Sequence, residues 1–388
     1  MKNLKLSKES ILLFLMIFFS LKIGCISYIS STLNLLWYTG AVFTFLYAFI
    51  NIVYNHKFNK LDLTTFLFYL FLLIPTLLNK GDMDNYIKEF IQFITLYYVM
   101  KFGLEKNSKK FINIYTMYIT FLVIINTLSA IIFYPNSMFR DNNNPIFFMG
   151  GDNTSVRLYI ISVLFCFMNK YIKHKRMTIP VIPLLNLLIF AIVRDLGGGK
   201  ICLAILLLSI LYLIYGANIP KKIVKNVILI NIILFFILVI SNKISLFKFI
   251  IVDVLHRDLS LTDRTVIWNI TIEKIINKPI MGYGMIDGLT FQGMLPYITG
   301  INAHNTYLMI LFDGGIILFG IFIISMFMGQ KKFDSIRHNR WIYILPFTLL
   351  TIMIRAQIEG WDVTWLFILI LLCYSYDKIE HLGKDTNL

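Results

Sequence analysis

The sequence predicts an all-α, polytopic membrane protein with about 12 transmembrane helices. The chain of 388 residues is 58% hydrophobic, has a mean hydropathy of +0.74 and is only 15% charged, whereas soluble domains carry roughly 25% charged residues. Apolar stretches of about 20 residues recur along its whole length, and each is long enough to cross a bilayer. Composition and spacing therefore exclude a soluble globular protein.

Basic residues fall at alternate connections between the apolar stretches and predict the orientation. The basic connections contain Lys57 and Lys60; Lys101, Lys106, Lys109 and Lys110; Lys170, Lys173, Lys175 and Arg176; Lys221, Lys222 and Lys225; and Lys331, Lys332, Arg337 and Arg340. The positive-inside rule places these connections and both termini in the cytoplasm, in a multi-pass protein of the cytoplasmic membrane. The net charge of +15 is spread over many helix ends, so no nucleic-acid partner is predicted.

The first apolar stretch begins at Ile11 and follows Lys2, Lys5 and Lys8, as in a signal peptide. It runs into a second apolar stretch without a small-residue cleavage pattern, so we interpret it as a retained membrane anchor.

The four cysteines all fall within predicted spans. A thiol in such a position packs as a small apolar group. We therefore predict neither a disulfide nor a metal site, and no cofactor.

One connection is much longer than the others: about 60 residues, from Ser241 to Ala303, separate the ninth and tenth spans on the predicted outer side. It divides the chain into nine spans (1–242), a large extracytoplasmic loop (243–303), and three further spans with a cytoplasmic tail (304–388). Apolar clusters around Phe247 to Leu255 and Ile267 to Ile275 predict two amphipathic helices in this loop, near the membrane surface.

Of the six histidines, only His256 and His304 are predicted to face outward. His304 lies in the sequence Ala-His-Asn-Thr-Tyr, where the long loop re-enters the bilayer. A neutral imidazole at this place can accept the proton of a hydroxyl nucleophile. The structural alternative is an interfacial histidine that is hydrogen-bonded to the loop backbone.

Arg264 and Trp268 are four residues apart and share one face of a predicted helix in the long loop. Thr262 or Asp263 would cap this helix. The guanidinium of Arg264 could bind a phosphate group through two hydrogen bonds. A surface salt bridge with a neighbouring acid such as Glu273 is the alternative.

Further charged residues lie at predicted outer helix ends. Arg157, Arg194 and Arg355 would face a polar cavity or extend to the lipid headgroups. Arg355 is one turn from Glu359, and we predict that these two side chains pair.

The three glycines before Lys200 lack the full phosphate-loop pattern. They indicate either an anion contact at a helix N-terminus or a flexible turn.

A set of these residues resembles the signature region of the O-antigen ligase and Wzy-type polysaccharide polymerase superfamily. The resemblance covers roughly residues 263 to 320. It rests on Arg264, Trp268, Pro279, Gly282, Gly284, His304, Asn305, Tyr307, Leu308, Gly314 and Gly315.

This resemblance implies a metal-independent membrane glycosyltransferase, related in architecture to the GT-C class, whose donor is a glycan on undecaprenyl diphosphate. It implies that Arg194 and Arg264 hold the diphosphate, that His304 activates the acceptor hydroxyl, and that Asn305 supports the loop or the sugar. The candidate catalytic residues are thus His304, Arg264 and Arg194. The candidate substrate-binding residues are Arg157, Lys200, Trp268, Asn305, Arg355 and Glu359.

Three functions stay open. We favour a polymerase that joins repeat units of a capsule or O-antigen, with membrane lipid, a chain-length regulator and a flippase as expected partners. A ligase that transfers finished glycan to lipid A core or another acceptor is the alternative within the family. A flippase or transporter for the same lipid-linked glycan is the alternative from another class, but the chain shows no half-chain symmetry.

Overall fold

The computed structural model describes residues 7–141, 144–216, 225–241, 264–295, 301–334 and 339–383. Its α-helices are α1 Lys8–Ser20, α2 Ile26–Ile29, α3 Ser31–Tyr54, α4 Lys60–Leu78, α5 Met83–Ile132, α6 Asp152–His174, α7 Val181–Val193, α8 Gly197–Tyr215, α9 Val227–Phe235, α10 Arg264–Asn277, α11 Gly288–Gly293, α12 Thr306–Asp334, α13 Ile344–Arg355, α14 Val363–Tyr374 and α15 Asp377–Glu380. A π-helical turn, Phe236–Ile240, follows α9, and 3₁₀ turns form at Arg340–Tyr343 and His381–Gly383. The predicted all-α polytopic class is confirmed.

Six helices in the described part of the chain are long and apolar enough to cross a membrane: α3, α4, α5, α6, α8 and α12. Shorter apolar helices fill the remaining predicted spans, among them α7, α14 and the segment Val227–Ile240. α5 covers two predicted spans, because two helices meet at a kink at Asn107, whose backbone is not helical (φ −159°, ψ 82°). The Asn107 side chain accepts a hydrogen bond from Lys110 N at 3.1 Å and so caps the second half.

The first apolar stretch, which begins at Ile11, does not form one continuous helix up to the second stretch, because α1 ends at Ser20. Residues 21–25 turn away and lie against a small three-stranded antiparallel sheet. Its strands are β1 Phe139–Asp141, β2 Asn144–Phe147 and β3 Gly150–Gly151. A Cβ atom on Gly24 would lie 2.4 Å from the nitrogen of Gly150, so only glycine allows this close approach.

The connections that the sequence predicts on the cytoplasmic side contact one another around the bend in α5. Lys57 and Lys378 place their Nζ atoms 3.8 and 3.5 Å from Glu105 Oε2. Glu9, at the start of α1, pairs with Lys110 at 2.6 Å. The beginning and the end of the described chain therefore lie at the same end of the bundle, as the alternating basic connections predict.

At the opposite end, α12 is broken, and the loop after α10 packs against the break. Gly315 has φ +61°, and the turn unwound there offers its backbone to the loop after α10. Tyr283 N donates to Phe312 O at 2.8 Å, and Gly284 N donates to Asp313 O at 2.7 Å. Backbone groups inside a membrane must be satisfied by the protein, and the loop satisfies those of the broken helix.

Of the two amphipathic helices predicted for the long loop, the second is present as α10, whereas the cluster from Phe247 to Leu255 and also His256, Thr262 and Asp263 lie outside the described residues.

Candidate active site

The turn before α12 carries His304 in a left-handed backbone conformation, with φ +46°. This region costs a non-glycine residue about 1–2 kcal/mol. The side chain of Asn302 holds the turn, because its Oδ1 accepts a hydrogen bond from His304 N at 2.7 Å. Residues kept in such conformations cluster at functional sites.

Trp268 secures the same turn from α10. Its indole Nε1 donates a hydrogen bond to Ala303 O at 2.9 Å, and the ring is only 1% exposed. The sequence placed Trp268 among the substrate-binding candidates. The structure shows a buried side chain that fixes the residue next to His304, and a contact of Trp268 with substrate stays a prediction.

Replacing Trp268 by phenylalanine keeps an aromatic ring but removes the N–H donor and leaves the buried Ala303 oxygen unpaired. We expect a loss of about 1–3 kcal/mol of stability, seen as a lower midpoint of thermal unfolding in detergent. Turnover should fall as well, because the His304 turn loosens. Unchanged stability and turnover in the phenylalanine variant would contradict this positioning role.

Asn305 is fully buried and immediately precedes α12. Its Oδ1 accepts hydrogen bonds from Tyr307 N and Leu308 N, both at 3.0 Å, which is an N-cap. Its Nδ2 donates to Gln357 O at 2.8 Å and ties α12 to the segment after α13. Of the two roles expected for Asn305, the structure displays the support of the loop.

The imidazole of His304 is partly exposed, and within the described residues neither ring nitrogen has a hydrogen-bond partner. Burial and the nearby positive charge of Arg264 lower the pKa of His304, and Glu359 opposes this effect. The ring is therefore neutral at neutral pH and has a nitrogen free to accept a proton.

The pH dependence of activity follows from this pKa. If His304 must be neutral, activity falls as the pH drops through its pKa in the protein, which lies below the ordinary value of 6.5. We expect the acid limb of kcat/KM to have an apparent pKa below 6.5, and the Glu359→Gln variant to shift it lower still. A pH–rate profile in detergent or nanodiscs measures both, and an acid limb above 6.5 would contradict the assignment.

Arg264, at the start of α10, contacts Glu359 from the connection between α13 and α14. Its Nη2 lies 3.3 Å from Glu359 Oε1, and the two side chains are 19% and 9% exposed. The predicted Arg355–Glu359 pair is therefore wrong. α13 ends at Arg355, and the turns that follow carry the Glu359 carboxylate to α10 and return Asp362 to Arg355.

The Glu359 carboxylate also lies against the first turn of α8. A Cβ atom on Gly198 would be 3.6 Å from Glu359 Oε1. A helix N-terminus favours negative charge. The anion at the glycine-rich connector before Lys200 is the Glu359 carboxylate of the protein itself. Lys200 does not join this contact, because its Nζ pairs with Asp195 Oδ1 at 2.7 Å.

Arg194, at the end of α7, borders the same region. Its Nη2 lies 3.9 Å from Asp152 Oδ2, and its guanidinium carbon lies 4.7 Å from the centre of the Phe147 ring. Its Nε is buried and has no hydrogen-bond partner within the described residues. Asp152 is also within electrostatic range of Glu359, so Arg194 and Arg264 each contact one of two carboxylates that interact with each other.

Arg355 and Arg157 share a third carboxylate, that of Asp362. Arg355 is 3% exposed, contacts Asp362 through Nη1 and donates through Nη2 to Asn153 O at 2.6 Å. Arg157 lies 3.5 Å from Asp362 and donates to Trp361 O at 2.8 Å. These bonds tie the α13–α14 connection to the start of α6, and a buried charge that is paired in this way is expensive to unpair.

The structure thus brings His304, Arg264 and Glu359 together, places Arg194 beside them, and gives Trp268, Asn305 and Arg355 buried, supporting positions. Sequence reasoning missed Asp152 and Asp362, although acidic residues at predicted outer helix ends are a signal that could have found them. Within the described residues, no group of three histidine, cysteine, aspartate or glutamate side chains is placed to hold a metal ion.

The fold and the site define a polytopic membrane protein with an arginine- and histidine-containing site at one end of its helix bundle. Residues 183–323 match the family model described as O-Antigen ligase. The match includes the region that carries the resemblance to the O-antigen ligase and Wzy superfamily, and it confirms that resemblance. It spans Arg194, Lys200, Arg264 and His304. Searches of curated proteins and of solved structures gave no match.

Proposed function

We propose that the protein polymerises undecaprenyl-diphosphate-linked oligosaccharide repeat units of a capsule or O-antigen at the outer face of the cytoplasmic membrane. The observation that best supports this proposal is the state of His304. Its imidazole is neutral, lies near Arg264 and has no hydrogen-bond partner in the described part of the chain. Around this imidazole, the other candidate groups are engaged in ion pairs and hydrogen bonds.

The reaction is the transfer of a glycosyl group. A sugar hydroxyl of the acceptor attacks the anomeric carbon of the donor, the bond from that carbon to the diphosphate oxygen breaks, and undecaprenyl diphosphate leaves. His304 takes the proton of the attacking hydroxyl. Arg264 and Arg194 offset the negative charge that develops on the leaving diphosphate, an effect that can amount to several kcal/mol in an enclosed site.

The Glu359 carboxylate keeps the positive groups of the proposed diphosphate site in place when no substrate is bound. Its carboxylate lies between Arg264 and the N-terminus of α8, two features that also attract phosphate. A diphosphate carries more negative charge than one carboxylate and can compete for Arg264. The same positions therefore suit the donor headgroup.

The geometry favours an enzyme over a transporter. The His304 turn is fixed by Trp268, Asn302 and Asn305, and a fixed imidazole is a requirement of proton transfer. A transporter would need this end of the bundle to open and close around its cargo.

An O-antigen ligase is a second candidate, because the matching family model is described by that activity. The same donor chemistry would serve it, and only the acceptor would differ. It would transfer finished glycan to lipid A core or another acceptor, instead of a lipid-linked repeat unit.

A strain deleted for this gene distinguishes these functions when its surface glycan and lipid-linked precursors are separated on a gel. We expect loss of the polymer ladder and accumulation of single lipid-linked repeat units, restored by the wild-type gene. Full-length polymer that fails to reach its acceptor would replace the proposal by a ligase. Precursor that stays inaccessible from outside the membrane would replace it by a transporter.

A further inference from the structure

A polar cavity of about 270 Å³ opens at the same end of the bundle as His304. It lies among the 21–25 turn, α5, the β2–β3 turn, the start of α6 and the residues that begin α14. Its chemistry comes mainly from Lys22, Glu89, Gln92, Arg157, Trp361 and Trp365. At about 30 Å³ per water molecule, the space would hold roughly nine waters, which is in the size range of a single sugar ring.

Glu89 contributes a carboxylate to this cavity and has no part in the His304 site described above. It lies in the second turn of α5, and it has no hydrogen bond or ion pair within the described residues. The charges of Arg157 and Lys22 are in electrostatic range. A carboxylate held partly buried without a hydrogen-bond donor is costly, and a ligand with hydroxyl groups would supply the donors.

Gln92 and Lys22 are oriented by one shared partner. Gln92 Nε2 donates to Tyr38 OH at 2.9 Å, and Lys22 Nζ donates to the same oxygen at 3.2 Å. The Gln92 amide oxygen remains an acceptor on the cavity wall, one turn from Glu89. A carboxylate, an amide and an ammonium group on one wall match the alternating donors and acceptors of a polyol.

Aromatic rings complete the lining. Trp361, Trp365 and Tyr28 all border the cavity. Their rings give apolar faces beside the polar groups, and pockets for small ligands combine these two features. A pyranose ring has the same combination, with C–H faces and a rim of hydroxyl groups.

Arg157 connects this cavity with the His304 site. It lines the cavity, donates to Trp361 O and pairs with Asp362. Asp362 belongs to the connection that also carries Glu359, the partner of Arg264. A ligand in the cavity therefore lies on the other side of the Arg157–Asp362 pair from the reaction centre.

We infer that this cavity is a sugar-binding subsite that takes one pyranose unit of a lipid-linked glycan, away from the bond that is transferred. The substrate class rests on the proposed function, whereas the cavity and its lining do not. Glu89 accepts hydrogen bonds from two sugar hydroxyls, Gln92 accepts a third, and the tryptophans contact the ring face.

The test uses the purified full chain in nanodiscs and, as probe, the repeat-unit oligosaccharide released by mild acid from the lipid-linked precursor of the deletion strain. Titration followed by tryptophan fluorescence should give a Kd that Glu89→Ala weakens about 10- to 100-fold, because hydrogen bonds to a charged group are lost. Gln92→Ala should weaken it less. The matched control is Asp84→Ala, which removes an exposed acid that lies on the same helix and pairs with Lys88. This variant should bind as the wild type does.

His304→Gln separates the two proposals. It should bind the oligosaccharide with the wild-type Kd although it does not polymerise, and this result supports the subsite. Wild-type affinity in both Glu89→Ala and Gln92→Ala, with unfolding midpoints preserved, would overturn the subsite and leave the polymerase proposal intact. In a polymerisation assay, a raised KM for the acceptor glycan assigns the subsite to the acceptor, and a raised KM for the donor assigns it to the donor.

Discussion

Replacing His304 by glutamine should abolish the polymer ladder while the protein remains in the membrane at its normal level. Glutamine is close to histidine in length and keeps hydrogen-bonding capacity, but it cannot take a proton at neutral pH. A positioned general base contributes about 10²- to 10⁴-fold to a rate, so turnover should fall by about that factor. Gel analysis of lipid-linked precursors in the deletion strain, complemented with each variant, measures the effect.

His56→Gln is the matched control. His56 is exposed, lies in the connection between α3 and α4 at the opposite end of the bundle, and also has a left-handed backbone, with φ +54°. Any penalty from placing glutamine in that conformation is thus common to both variants. We expect a normal ladder from His56→Gln, and a normal ladder from His304→Gln would refute its role as the base.

The fold was largely predictable because the bilayer imposes simple rules. Apolar stretches of about 20 residues indicated the long helices, since an α-helix satisfies its backbone hydrogen bonds within one segment in lipid. The alternating basic connections indicated that the two chain ends share one end of the bundle. Two features of the fold that these rules did not predict depend on single residues. At Asn107 two helices join directly, and α1 ends at Ser20, before the chain makes its close approach at Gly24 and Gly150.

The site was only partly predictable, because its partners are far apart in sequence. His304 and Arg264 stood out as charged or titratable groups where the long loop meets the membrane. The partner of Arg264 is Glu359, which is 95 residues away in the sequence. The pairing of Glu359 with Arg355, which their spacing of one helical turn predicted, was therefore wrong. Glu89 was not noticed because it lies within an apolar span, and only the packing of the 21–25 turn on the β2–β3 turn makes a cavity there.

Replacing Arg264 by glutamine should eliminate the polymer as well, but the loss by itself has two possible causes. The variant removes a group that would hold the diphosphate, and it also leaves the Glu359 carboxylate, only 9% exposed, without its ion-pair partner. An unpaired buried charge costs about 1–3 kcal/mol or more. We therefore expect a lower thermal midpoint together with the lost ladder.

The double variant Arg264→Gln/Glu359→Gln separates these causes. Two neutral amides can hydrogen-bond to each other, so the unfolding midpoint should return most of the way to the wild-type value. The ladder should remain absent, because no guanidinium is left to offset the charge on the leaving diphosphate. Glu359→Gln alone keeps Arg264 and frees it from its internal anion, so we expect polymer to form and the KM for the lipid-linked donor not to rise. Recovery of the ladder in the double variant would instead mean that Arg264 serves the fold, and the diphosphate would then have to be held by Arg194 and its neighbours.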